Sequence, residues 1–268
     1  MRVVWTCRTD VGVKRSVNED HFRASLDALL FLVADGMGGH AGGELASRMA
    51  VESIENFVIE TRAGTSTPLP FAPQPGLTPE SNRLHVAARK ANRDIYETAQ
   101  GNPPLHGMGS TLVGLLLHEH EVHVMHVGDS RCYRLRGDKL LPLTKDHSVV
   151  NELIDDGKLA RDAAYRHAER NIITRALGVD PDVEPEVAAH ELRIGDLFLL
   201  CSDGLTDLTS DRKLFELLEP LVDAPGVNLG REGIERDHLD KVAEAMVRYA
   251  NSRGGDDNIT VMLVKVIG

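Results

Sequence analysis

The chain has 268 residues, 42% of them apolar, with 30 basic against 41 acidic side chains and a net charge of −11. That is enough apolar material for a substantial core, in one large domain or two ordinary ones, and the acidic balance disfavours nucleic acid and anionic membrane as partners over most of the surface. Three widely spaced cysteines, Cys7, Cys132 and Cys201, form no C-x-x-C pair, so neither a disulfide framework nor a zinc cluster is indicated and a reducing, cytoplasmic setting is expected.

The first ten residues, MRVVWTCRTD, lack the charged and apolar regions of a signal peptide. The longest apolar run, ALLFLVA at 28–34, is too short to span a bilayer. That run leads into LLFLVADGMGGHAGGE at 29–44, an apolar strand ending on Asp35 and opening into a glycine loop. Read from Gly36, the string fits the relaxed dinucleotide pattern G-x-G-x-x-A, in which backbone N–H groups receive a pyrophosphate. Read from Asp35, it is a carboxylate on a rigid strand end beside a closely approaching backbone, which suits a hard cation with oxygen ligands. A carboxylate facing a pyrophosphate would repel it unless a metal stood between them, which favours the second reading.

Beyond this loop, Ala46, Met49, Ala50, Ser53, Phe57 and Val58 recur at steps of three and four, predicting a helix over 44–60. Residues 61–80 are rich in Pro, Gly and Thr without a period and are expected to form a mobile surface loop. Leu84, Ala87, Ala88, Ala91 and Ile95 mark a second helix ending near Gly101. Four short strand-like runs follow, STLVGLLL, VHVMHV, RCYRLR and KLLPL, the last two separated only by Gly137 and Asp138. Such a meander is antiparallel, whereas the dinucleotide fold needs strands alternating with crossover helices. Residues 149–170 lean towards helix, DLFLLCSDG at 196–204 reads as a strand, 238–250 as a helix and NITVMLVKV as a closing strand. The expected class is α+β, one domain with helices covering sheet faces.

Carboxylates recur at strand ends: Asp35 after FLVA, Asp129 after HVG, Asp203 after FLLCS, Asp257 before the last strand, and Glu19 with Asp20 before another. Any one of these aspartates reads as a turn residue or helix cap. Gathered on one sheet edge they would need cations to stay ionised together, and Mg²⁺ or Mn²⁺ takes such oxygen ligands. His118, His120, His123 and His126 crowd one hairpin; His123 and His126 point to opposite faces, so they are expected to be surface or turn residues without a shared metal. Cys132 and Cys201 are expected in the core. No cysteine is followed six positions later by arginine, so the cysteine-dependent phosphatase loop is absent.

In order along the chain, RTDVGVKRSVNEDHF, VADGMGGHAGGELAS, HGMGSTLVG, VGDSRCYRL, LTKDHS, ITRALG, LCSDGLTDL and GGDDNITVMLV resemble the PPM family of metal-dependent serine/threonine protein phosphatases, also called protein phosphatase type 2C, in its bacterial form. The resemblance implies an α-β-β-α sandwich, two central antiparallel sheets flanked by helices, as a single catalytic domain over 1–268. It implies two Mn²⁺ or Mg²⁺ ions bridged by Asp35, with Glu19 and the Gly36 carbonyl on one, Asp203 and Asp257 on the other, Asp20 in support, and Asp129 with Asp203 on a third, weaker ion. A water between cations about 3.5–4 Å apart would then supply a hydroxide to attack phosphorus in line. Arg15 matches the arginine that grips phosphate oxygens, and His40 is the candidate general acid. Residues 149–171 stand in the place of a flap beside the site, with Arg161, Arg166 and Arg170 available to a phosphorylated partner. Phosphorylated proteins, and a serine/threonine kinase with its targets, are the implied partners of a monomeric enzyme. A non-catalytic regulatory member of the fold and a hydrolase of small phosphoesters remain as alternatives.

Overall fold

A computed structural model describes the chain except residues 39, 63–68, 161–162, 164–166 and 223–231, and the side chains of 40, 41 and 232–234 also lie outside it. The elements run β1 (Val3–Asp10), β2 (Asp20–Ser25), β3 (Leu30–Met37), α1 (His40–Arg62), α2 (Pro79–Gly101), β4 (Gly109–Ser110), β5 (Leu112–His118), β6 (Glu121–Val127), β7 (Arg131–Arg136) and β8 (Lys139–Pro142). They continue with α3 (Val149–Asp155), β9 (Glu186–Glu191), β10 (Leu197–Cys201), α4 (Asp203–Thr206), α5 (Asp211–Leu218), α6 (Glu232–Arg253) and β11 (Ile259–Val266).

Two antiparallel sheets form, one in the order β1-β11-β10-β7-β8 and one in the order β2-β3-β5-β6-β9, with β4 beside β3. The side-chain period of two explains how they stack. Phe31 and Val33 of β3 meet Met262 and Val264 of β11, with Phe198 and Leu200 of β10, between the sheets. Their alternates Leu30, Leu32 and Ala34 face α1 and α2. Ile259, Val261 and Leu263 pack under α5 and α6 on the other side. Strands buried on both faces read as continuous apolar runs. The result is an α+β sandwich of four layers, as the family resemblance implied.

The meander differs from expectation in one respect. β5 and β6 form a hairpin in one sheet, β7 and β8 in the other. The turn at 128–130 carries the chain across the sandwich, which strand periodicity does not encode. Helices α1 and α2 exceed the predicted 44–60 and 84–101, since α1 ends at Arg62 and α2 starts at Pro79, where Thr78 accepts from the Ser81 amide. Much of the predicted 61–80 loop therefore lies outside helix, and its 63–68 stretch is not among the described residues. Among the described residues of the predicted helical region 149–170, α3 accounts for Val149–Asp155, and residues 161–162 and 164–166 lie outside the described residues. Among the described residues, no helix is long and apolar enough to cross a membrane.

Candidate active site

The loop between β1 and β2, the end of β3, the 128–130 turn, the start of α4 and the lead into β11 meet in one cleft of about 340 Å³. Arg15, Glu19, Asp35, Gly36, Asp129, Asp203 and Asp257 all line it, joined by Thr111, Asn171 and Ile173. Residues remote in sequence are brought together because each ends or begins a strand at the same edge of the sandwich.

Asp20 stands behind this lining as the first residue of β2, paired in register with Asp35. Its Oδ2 accepts from Ser202 Oγ at 2.8 Å and Thr260 Oγ1 at 2.6 Å. Burial, against these stabilising bonds, pushes its carboxyl up to about 6. Asp35 and Asp203 are raised well above the usual carboxylate range, first by burial and then by the neighbouring carboxylates. Asp129 is pushed up to about 7 by burial and by Asp146. The Asp203 Oδ1 atom is buried with no hydrogen-bond partner. A cluster of buried and half-buried carboxylates that repel one another, and that would hold protons unless a cation replaced them, fits a cation, so the donor set suits the Mg²⁺ or Mn²⁺ expected from the sequence.

Glycine in this loop serves close packing. A Cβ on Gly36 would lie 2.0 Å from the Gly43 carbonyl oxygen, and one on Gly43 would lie 2.8 Å from Glu19 Oε1. The first turn of α1 thus sits directly on the strand end, bringing Asp35 and Glu19 together. Asp35 is further fixed by its backbone, whose carbonyl accepts from the Thr111 amide at 2.8 Å and from Ser110 Oγ at 3.0 Å.

Arg15 reaches the cleft by a short tether: the amides of Val13 and Lys14 donate to the Gly255 carbonyl just past α6. Its Nη2 donates to Asp257 Oδ2 at 2.6 Å, while half of the side chain stays exposed. His40 opens α1, but its side chain lies outside the described residues, as do Arg161 and Arg166. Arg170 is exposed, its Nε donating to Asn171 Oδ1 at 3.1 Å.

Sequence reasoning missed several supporting residues. Asn258 accepts from the Glu19 amide at 2.7 Å and donates to the carbonyls of Val11 and Val17, both at 2.9 Å. Ser202 and Thr260 hold Asp20, as above. Asp207 adds a further carboxylate near Asp203, and the four-residue spacing in DGLTD, one helical turn, was the available signal. The histidine reading needs correction: His123 and His126 are buried. They face opposite sides as expected, His123 meeting Ser81 Oγ of α2 at 2.9 Å and His126 Nε2 meeting the Lys145 carbonyl at 2.8 Å. Cys132 and Cys201 are buried thiols, as predicted, with Cys201 pushed up to about 12 by burial.

The family model for protein phosphatase 2C matches residues 13–237. The chain belongs to the protein phosphatase 2C family. Within that family it is similar to the serine/threonine phosphatase stp of Listeria innocua, 36% identical over 263 residues that cover 96% of this chain and 94% of that protein. The crystal structure of the Mycobacterium tuberculosis serine/threonine phosphatase PstP/Ppp superposes with a TM-score of 0.81 at 33% identity, covering 99% of each chain. The PstP catalytic domain in complex with two manganese ions superposes with a TM-score of 0.78 at 33% identity and the same coverage. These protein phosphatase 2C relatives are serine/threonine phosphatases, which supports protein dephosphorylation as the activity class.

Proposed function

We propose that the chain is one catalytic domain that hydrolyses phosphoserine and phosphothreonine in proteins, with divalent cations in the carboxylate cleft assisting attack of water on phosphorus. The observation that carries this is the convergence of Glu19, Asp35, Asp129, Asp203 and Asp257 on one cleft, with Asp203 Oδ1 buried and unpartnered. Mn²⁺ or Mg²⁺ would be held by Asp35, Glu19 and the Gly36 carbonyl on one side and by Asp203 and Asp257 on the other, with Asp129 and Asp203 available to a weaker third ion. When bound, such cations neutralise phosphate charge and lower the pKa of water towards about 7.

The protein's own residues supply the rest. Asp20, fixed by Ser202 and Thr260, sets the depth of the β2 end and so the place of Glu19. Arg15 presents a planar fork that exchanges Asp257 for phosphate oxygens when substrate arrives. His40, at the start of α1, is the proposed proton donor to the leaving serine or threonine oxygen. Asn171 and Ile173, returning from the 149–171 segment, meet the residues flanking the phosphate. Opposition to a serine/threonine kinase in a bacterial cytoplasm follows as the physiological reading.

The test is phosphate release from a phosphothreonine peptide with Mn²⁺ or with EDTA, beside Asp35→Asn. Release that requires metal and disappears in the variant supports the reading. No release with metal in excess, while calorimetry shows metal uptake, removes it for this substrate class.

A further inference from the structure

Behind the cleft, His126, His147 and Glu186 bring possible ligand atoms within 4.8 Å of one another. Their geometry opposes a cation. The two rings stack with centroids 4.5 Å apart and planes 19° from parallel, so their in-plane lone pairs run side by side rather than converging. His126 Nε2 faces the Lys145 carbonyl, which fixes a proton there. His147 Nδ1 accepts from the Gly128 amide at 3.1 Å, leaving the ring proton on Nε2, which faces Glu186 Oε2 at 3.3 Å. The Arg175 guanidinium lies 3.4 Å from that same Nε2.

The cluster instead ends on the turn that carries Asp129. We propose that His147 is a positioning residue: by gripping Gly128 through both its N–H and its C=O, it sets where the Asp129 carboxylate stands in the cleft. The His147 amide donates to the Gly128 carbonyl at 2.9 Å, and the Gly128 amide donates to the ring. Gly128 has φ +98°, and a Cβ there would lie 2.8 Å from Thr111 Cβ, so the turn bends tightly over Thr111. On the far flank, Ser130 Oγ bonds Thr111 Oγ1 at 2.7 Å. Asp129 is therefore held from both neighbours, by His147 before it and by Thr111 after it. Burial, His126 and Arg175 hold His147 down at about 4, so its Nδ1 stays an acceptor at neutral pH. The His147 carbonyl also accepts from the Thr174 amide at 2.8 Å, linking this turn to the strand-like return that carries Ile173 into the cleft.

The inference rests on the reading of Asp129 as a cation ligand, and its test separates the two. The variants are His147→Ala and His147→Asn, because an asparagine Oδ1 stands close to the place of Nδ1 and restores the grip without the contacts of Nε2. Manganese titration by calorimetry and hydrogen exchange at the Gly128 amide are measured for each. His147→Ala is expected to lose about 10-fold or more in the weaker manganese event, with faster exchange at Gly128, and His147→Asn to recover both, although both variants melt lower than wild type. If His147→Ala does not fold, His147→Gln replaces it, since its longer side chain misplaces the acceptor. Manganese binding that is unchanged in the variants, or equally impaired in His147→Asn, overturns the role of His147. Wild-type protein that takes up no manganese overturns the cation reading itself, and this inference with it.

Discussion

Asp20 and Asp35 stand directly opposite each other in the antiparallel β2–β3 ladder, one carboxylate buried and the other half-buried, at a position where side chains normally touch. Without a cation, like charges at this spacing are destabilising, and burial raises both groups. The native state therefore binds more protons than the unfolded chain between the ordinary aspartate value near 3.9 and about 6, and stability falls as pH rises through that window.

Asp20→Asn removes this titration while keeping an oxygen to accept from Ser202 and Thr260. In EDTA, its stability relative to wild type is expected to rise by on the order of 2–3 kcal/mol between pH 4 and pH 7, then level off. Manganese should reverse the order, because the wild-type cluster gains more from the cation. Denaturant titrations across pH measure this, and a constant difference would refute it.

Arg15 competes with any cation for Asp257, since its Nη2 already sits 2.6 Å from that carboxylate. Arg15→Ala is expected to raise KM for a phosphopeptide about 10-fold, the loss of roughly one charged hydrogen bond, while tightening manganese binding by freeing Asp257. Arg15→Lys should leave the KM defect largely in place, because an ammonium cannot present a fork. Steady-state kinetics and calorimetry check the two opposite signs; unchanged KM in Arg15→Ala removes the residue from substrate binding.

Asn258 ties the loop from Val11 to Glu19 to the start of β11 by one accepted and two donated hydrogen bonds. Asn258→Ala leaves the partners without them and is expected to cost about 2–3 kcal/mol. Asn258→Asp keeps the acceptor for the Glu19 amide but not the donors, so it should lie between. Equal denaturation midpoints for wild type and Asn258→Ala would show that the loop is held by other means.

These contrasts show where the sequence was readable. The central strands β3, β5, β10 and β11 are buried on both faces, so their apolar runs stand out, and the aspartates at the ends of β3, β10 and β11 are marked by the abrupt change to glycine or asparagine. β9, EVAAHE, lies at a sheet edge with mostly exposed side chains, and nothing in its composition separates it from a loop. The amphipathic α5 is only eight residues long, which gives a periodic signal little room. Ser202, Thr260, Asn258 and His147 act through contacts across 19 to 247 positions, so their residue types alone carried no hint of a role.

The helical layer over the other sheet holds a further long-range pair. Lys265 lies on the outer face of β11, 3% exposed, and its Nζ stands 3.3 Å from Glu235 Oε2 of α6 and donates to the Leu221 carbonyl at 3.1 Å. Desolvating both charges offsets much of their attraction, so the pair adds little net stability, whereas removing one partner strands the other. Lys265→Met alone is expected to cost about 3–5 kcal/mol. The double variant Lys265→Met with Glu235→Leu should recover most of that loss, because two apolar side chains of similar volume then fill the layer between β11 and α6. Denaturant unfolding of the four proteins in a double-mutant cycle measures the coupling. If the two substitutions simply add, the charges are not acting as a pair, and the layer is held by its apolar contacts and the Leu221 hydrogen bond.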